Sequence, residues 1–118
     1  MAEEGGRERR RAERLERSWH VFYRKPEHAH GVWSLARIRN LNATGVAFLT
    51  DELLDVKQRL ELKFDLEHTP LHRVNGLIVW RAEMRPDEPP RFEYGVAFTG
   101  LSQEDGDALA EFATKLPR

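Results

Sequence analysis

The 118 residues predict a mainly β fold: a six-stranded antiparallel β-barrel with a C-terminal α-helix and a flexible basic N-terminal arm. Three observations carry this. Short runs of period-two alternation recur along the chain, polar connectors containing Gly and Pro separate them with no helical pattern between, and one helical stripe comes only at the end. Closing such a sheet removes its exposed edges, which favours a barrel over the alternative of a two-sheet sandwich. The length suits one modest core, so residues 1–17 are expected to form the arm and residues 18–118 the barrel with its helix.

Arginines 7, 9, 10, 11, 14 and 17 and glutamates 3, 4, 8, 13 and 16 dominate the first segment, whose bulky apolar residues are only Met1 and Leu15. It buries too little apolar surface to offset its ordering entropy, and an isolated helix this short is marginal in water. After Ser18 the period becomes two. Trp19, Val21 and Tyr23 share one face of a first strand, with His20, Phe22 and Arg24 on the other. PEHAHG interrupts, Val32 to Arg39 alternates again, and Gly45 to Thr50 is a third strand with Val46 and Phe48 on one face. Leu60, Leu62, Phe64 and Leu66 then alternate with charged residues, the cleanest half-buried pattern in the chain. HRVNGLIVWRAE is a fifth strand whose interior Gly76 suggests a bulge or bend, RPDEPP is a loop, and RFEYGVAFT is a sixth strand. Ser102 and Asp105 resemble a capping box, and Leu109, Phe112, Ala113 and Leu116 recur at helical spacing.

Composition excludes several functions. With 19 basic and 20 acidic residues the net charge is −1, so no whole-molecule field draws in DNA, RNA or anionic lipid, and any anion site must be local. Zero cysteines remove disulfides, thiolate metal sites and cysteine nucleophiles. No apolar run approaches the roughly 18 residues of a membrane span and the N-terminus has no signal-type apolar core, so membrane insertion is not expected and a cytoplasmic location is. There is no GxSxG, HExxH, P-loop or GxGxxG pattern, and an enzyme is not expected. His28 and His30 could share a metal with Glu27 or His20, but the ligand count falls short of a usual site and no metal is expected. The three tryptophans fall inside predicted strands; Trp19 and Trp80 read most simply as core or rim residues, with stacking of Trp33 or Trp80 on a ligand the lesser reading.

Two polar clusters remain. RERRRAER offers permanent charges whose forked guanidiniums match phosphate and whose planes stack on bases, although a solvated charged tail has the same composition. A polynucleotide-binding arm is a third reading, weakened by the interleaved glutamates. NLNATG, residues 40–45, joins two strands; Asn40 and Asn42 can donate and accept at a guanine edge, and Gly45 permits positive φ and close approach of a planar ligand, although Asn and Gly also suit any tight turn.

Arm, strands, polar turn ending in glycine, late YGVAF and GLIVWRAE strands and terminal helix together resemble the PilZ domain family, from about Arg9 to Leu116. That resemblance implies a barrel of six strands that binds the second messenger cyclic di-GMP through an RxxxR motif on the arm and a [D/N]xSxxG motif after the second strand. Arg10 and Arg14 fit the first motif, and Asn40, Asn42 and Gly45 stand at the specified positions of the second. Arg10 and Arg14 would meet phosphates and the Hoogsteen edge of guanine, Arg9 would stack on a second ligand molecule, and Arg11 would help neutralise charge. Asn42 departs from the family serine: its amide either reaches the guanine or crowds it, and neutral Asn40 lacks the charge an Asp would offer guanine N1 and N2. The resemblance further implies a bacterial protein that signals through arm ordering to a partner in motility, secretion or exopolysaccharide control. An adaptor that binds cyclic di-GMP weakly or not at all, and acts by protein–protein interaction, is the alternative.

Overall fold

The computed structural model describes residues 20–28, 31–65, 72–85 and 87–115. Its strands are β1 (His20–Arg24), β2 (Ser34–Leu41), β3 (Gly45–Thr50), β4 (Arg59–Phe64), β5 (His72–Glu83) and β6 (Phe92–Thr99), followed by helix α1 (Gln103–Ala113). They close into a barrel in the order β1-β2-β3-β6-β5-β4, every pair antiparallel. The arm expected at residues 1–17, and with it Trp19, Leu66 and Leu116, lies outside the described residues.

Alternation fills the interior. Val21 and Tyr23 of β1, Leu60, Leu62 and Phe64 of β4, and Val46 and Phe48 of β3 are buried, while the residues that alternate with them face outward. At about 25 cal/mol per Å² of apolar surface removed from water, each of these side chains contributes about 1.5–3 kcal/mol. Stacked Tyr23 and Phe48, with ring centroids 5.1 Å apart, and Tyr94 at 5.8 Å from Phe48 form the aromatic centre of this core. Helix α1 starts at Ser102, whose hydroxyl accepts the Asp105 amide at 3.1 Å, and adds Leu109 and Phe112 to the core. Serine there satisfies a donor that the first helical turn cannot satisfy itself.

Residues 51–58 close the mouth at the other end. Leu54, only 1% exposed, donates its amide to the Tyr94 hydroxyl at 2.6 Å, and that hydroxyl donates to the Glu52 carbonyl at 2.7 Å. Arg81 Nη1 donates to the Leu54 carbonyl at 3.1 Å, and the Tyr23 hydroxyl donates to Glu52 Oε1 at 2.6 Å. Burial first, then the hydrogen bond to Glu52, pushes the Tyr23 phenol well above its ordinary range. Its folded-state value is the raised one, so its contribution is present in full at neutral pH and is lost as pH rises through that value. Tyr94→Phe removes one hydroxyl and leaves a buried donor and a carbonyl unpaired. Urea unfolding is expected to show a loss of about 1–3 kcal/mol with the slope m unchanged.

Three expectations need correction. Val32, 92% exposed, stands ahead of β2, which begins at Ser34, so Trp33 is not a strand residue; Arg24 and Lys63 lie over its ring, at 4.0 and 4.2 Å from the centroid. The bulge of β5 falls at Val79 and not at Gly76, which pairs regularly with Leu60 and Phe98. Gly76 faces inward, where a Cβ would come 2.5 Å from Val96 Cγ1 and 3.3 Å from Leu62 Cδ1, so filled interior space and not a bend requires the glycine. Third, Gly45 does not use positive φ; among the described residues Gly100 is the glycine that does.

Candidate functional site: a small-residue trough on the barrel wall

Two bulges shape the outer wall. In β2 the register shifts between Ile38 and Asn40, so Arg39 and Asn40 both point outward between buried Ile38 and Leu41. In β5 it shifts between Ile78 and Trp80, and Val79 and Trp80 both point outward, 49% and 42% exposed. A bulge sets two residues of one strand against one of its partner and re-aims the side chains beside it. Between these ridges two successive outward pairs of β3 and β6 are small: Gly45 pairs with Ala97 and Ala47 with Gly95.

The result is an open trough of about 240 Å³. One transverse row across β2, β3, β6 and β5 reads Asn40, Ala47, Gly95, Trp80. It spans roughly 14 Å, three inter-strand spacings. The Trp80 indole packs on the Gly95 backbone so closely that a Cβ there would overlap Nε1, Cε2 and Cδ1. Gly45 is held as tightly, since its missing Cβ would meet the Val96 carbonyl. Close approach of β3 and β6 is therefore what demands glycine at 45.

The turn between β2 and β3 is organised by Asn42. Its Oδ1 accepts the Thr44 amide at 2.8 Å, the Thr44 hydroxyl at 2.7 Å and the Gly45 amide at 3.1 Å, and the Asn42 amide itself donates to the Gly45 carbonyl at 3.0 Å. The oxygen is thus saturated from within the turn. A side-chain carbonyl that mimics a backbone acceptor is the ordinary reason for Asn in such turns. Asn40 is exposed at the trough edge, and its amide has no hydrogen-bond partner among the described residues. Beside it Arg39, with its side chain 57% exposed, reaches across to Glu93 on β6, Nε to Oε1 at 3.7 Å.

Asn42→Ala removes all three contacts to Oδ1, Asn42→Ser can keep one, and Asn42→Asp can keep all three. Thermal midpoints are expected to fall in the order Asp, Ser, Ala, with the alanine variant about 1 kcal/mol below the parent.

The structure brings Asn40, Asn42 and Gly45 together at one end of the trough. Arg9, Arg10, Arg11 and Arg14 lie outside the described residues. Sequence reasoning left Trp80 mainly to the core or rim and passed over Arg39. The signal for both was in the pattern: two polar residues between Ile38 and Leu41, and four consecutive apolar residues from Leu77 to Trp80, cannot all obey a period of two. Among the described residues no cluster of three His, Asp or Glu side chains is placed to hold a metal, and no helix is long and apolar enough to cross a membrane.

The family follows from the sequence match: the chain matches the PilZ domain family over residues 8–115 and belongs to it. Among solved structures it is similar to the PilZ domain with c-di-GMP of YcgR from Escherichia coli, with a TM-score of 0.61 and 14% identity over 82% of this chain and 80% of that one. No curated protein matches the chain.

Proposed function

We propose that the trough is one half of a cyclic di-GMP site and that the arm, residues 1–17, supplies the other half. The observation that carries this reading is the row Asn40, Ala47, Gly95, Trp80: an amide, a low floor of small residues and an indole laid over Gly95, the parts a purine needs for edge hydrogen bonds and stacking. Asn40 offers its unpaired amide to the base edge. In this reading Asn42 shapes the turn through its Oδ1, which the Thr44 and Gly45 amides already occupy, and leaves its Nδ2 to the ligand. At about 240 Å³ the trough lies below the ~300–1,000 Å³ of a typical small-molecule pocket, so an enclosing element is required.

In this reading Arg10 and Arg14 close over the ligand and pair with phosphate oxygens and guanine O6 and N7, while Arg9 stacks and Arg11 balances charge. Ordering of the arm changes the surface offered to a downstream protein of motility, secretion or exopolysaccharide control. The output is an interaction and not a reaction, and cytoplasmic cyclic di-GMP is the input.

A specific observation favours the second reading, a ligand-independent adaptor. Leu53 is 63% and Val56 43% exposed on the loop that closes the barrel mouth, apolar surface of the kind a partner protein would cover. Nitrogen-15 spectra separate the two. Cyclic di-GMP is expected to move the Trp80 indole N–H and the amides of residues 40–47 and 95–97 saturably; unchanged signals there in folded protein leave the adaptor.

A further inference from the structure

A second cavity lies around the barrel from the trough and shares none of its described lining residues. It measures about 500 Å³, twice the trough, and falls within the ~300–1,000 Å³ range of small-molecule pockets. We propose that it is a binding site for a small organic carboxylate with an apolar body. The proposal is independent of the cyclic di-GMP reading.

The register fixes its wall. Three neighbouring pairs across β4, β5 and β6 supply it: Arg59 with Leu77, Leu60 with Gly76, and Asn75 with Thr99, with Leu60 and Gly76 facing inward and the others outward. Pro26, in the 3-10 turn after β1, forms part of the lining beside Arg59, Leu77, Asn75 and Thr99. Among the described residues that line it are one cation, Arg59, two neutral hydrogen-bonding side chains, Asn75 and Thr99, and the apolar Pro26, Leu60 and Leu77.

Charge decides the ligand class. The acid nearest to Arg59 along its own strand face is Glu61, and Glu61 is engaged elsewhere: Arg24 donates to its Oε2 through Nε at 3.3 Å and Nη2 at 3.1 Å. The Arg59 guanidinium has no hydrogen-bond or ion-pair partner among the described residues, and neither do the Asn75 amide and the Thr99 hydroxyl. A guanidinium fork matches a carboxylate bidentately, and one fixed cation balances one negative charge. No second cation lines the cavity among the described residues, which disfavours a phosphate dianion. Leu77 and Pro26 offer the remaining surface to an alkyl or aryl body, and Asn75 with Thr99 serves a second polar group on it.

The test titrates the full chain with 3-phenylpropanoate, 3-phenylpropan-1-ol and inorganic phosphate, each followed by nitrogen-15 spectra. The carboxylate is expected to shift the amides of Arg59, Asn75, Leu77 and Thr99 saturably, with a Kd below about 10 mM. Arg59→Gln is expected to weaken it by about tenfold or more with no change in thermal midpoint, and Arg59→Lys to retain part of the affinity. The proposal is overturned by an alcohol or phosphate that binds these residues as tightly as the carboxylate, by an Arg59→Gln variant of undiminished affinity, or by the absence of saturable shifts.

Discussion

Replacing Gly45 by alanine is expected to lower the stability of the folded protein by about 1–3 kcal/mol and to weaken ligand binding together with it. The cause is steric and local. A Cβ at 45 would meet the Val96 carbonyl, a backbone atom that cannot swing aside as a side chain would. Gly45 pairs with Ala97 and Val46 with Val96, so relieving the contact separates β3 from β6 at the corner where Asn42 holds the turn. For a domain near 100 residues that loss corresponds to a fall in thermal midpoint of about 4–8 °C per kcal/mol. Gly45 and Val96 both line the trough, so the same displacement spoils its floor. Gly100 provides the control. A Cβ there meets nothing within 4 Å, and the strain of its φ of +67° is all that Gly100→Ala adds, with ligand binding expected to stay at the parental level.

Arg10→Ala and Arg14→Ala are expected to act the opposite way, on binding alone. Each guanidinium removed costs a charge-assisted contact of about 1.5–3 kcal/mol, about 10- to 150-fold in Kd, and the double variant is expected to abolish binding at micromolar protein. Thermal midpoints without ligand should equal the parent's, because the proposed contacts form only with the ligand. Raising salt should weaken the parent more than either single variant, since exposed ion pairs are screened. A variant that loses binding only in proportion to lost stability would place the arginines outside the site.

Much of the fold was legible in the sequence because burial on one face imposes a period of two. Leu60, Leu62 and Phe64 of β4 are the clearest case: all three are buried, with Arg59, Glu61 and Lys63 outward. Connector composition marked the turns, and Ser102 marked the helix start. The bulges were not read, because a bulge is an offset between two strands and the pairing partner is absent from a one-dimensional pattern. Missing the bulge at Val79 left Trp80 without its place opposite Gly95, and missing that at Arg39 hid why Asn40 faces out. Asn42 shows the same limit: its residue type suggested both turn and ligand, and its part in the turn is visible only in the three donors that converge on Oδ1.

Calorimetric titration of the intact chain with cyclic di-GMP tests the two-part site most directly. Protein at about 100 μM is expected to give a saturable heat with a Kd of about 10 μM or tighter, lost in Arg14→Ala. A flat titration from folded protein, or a heat that Arg14→Ala leaves unchanged, contradicts it.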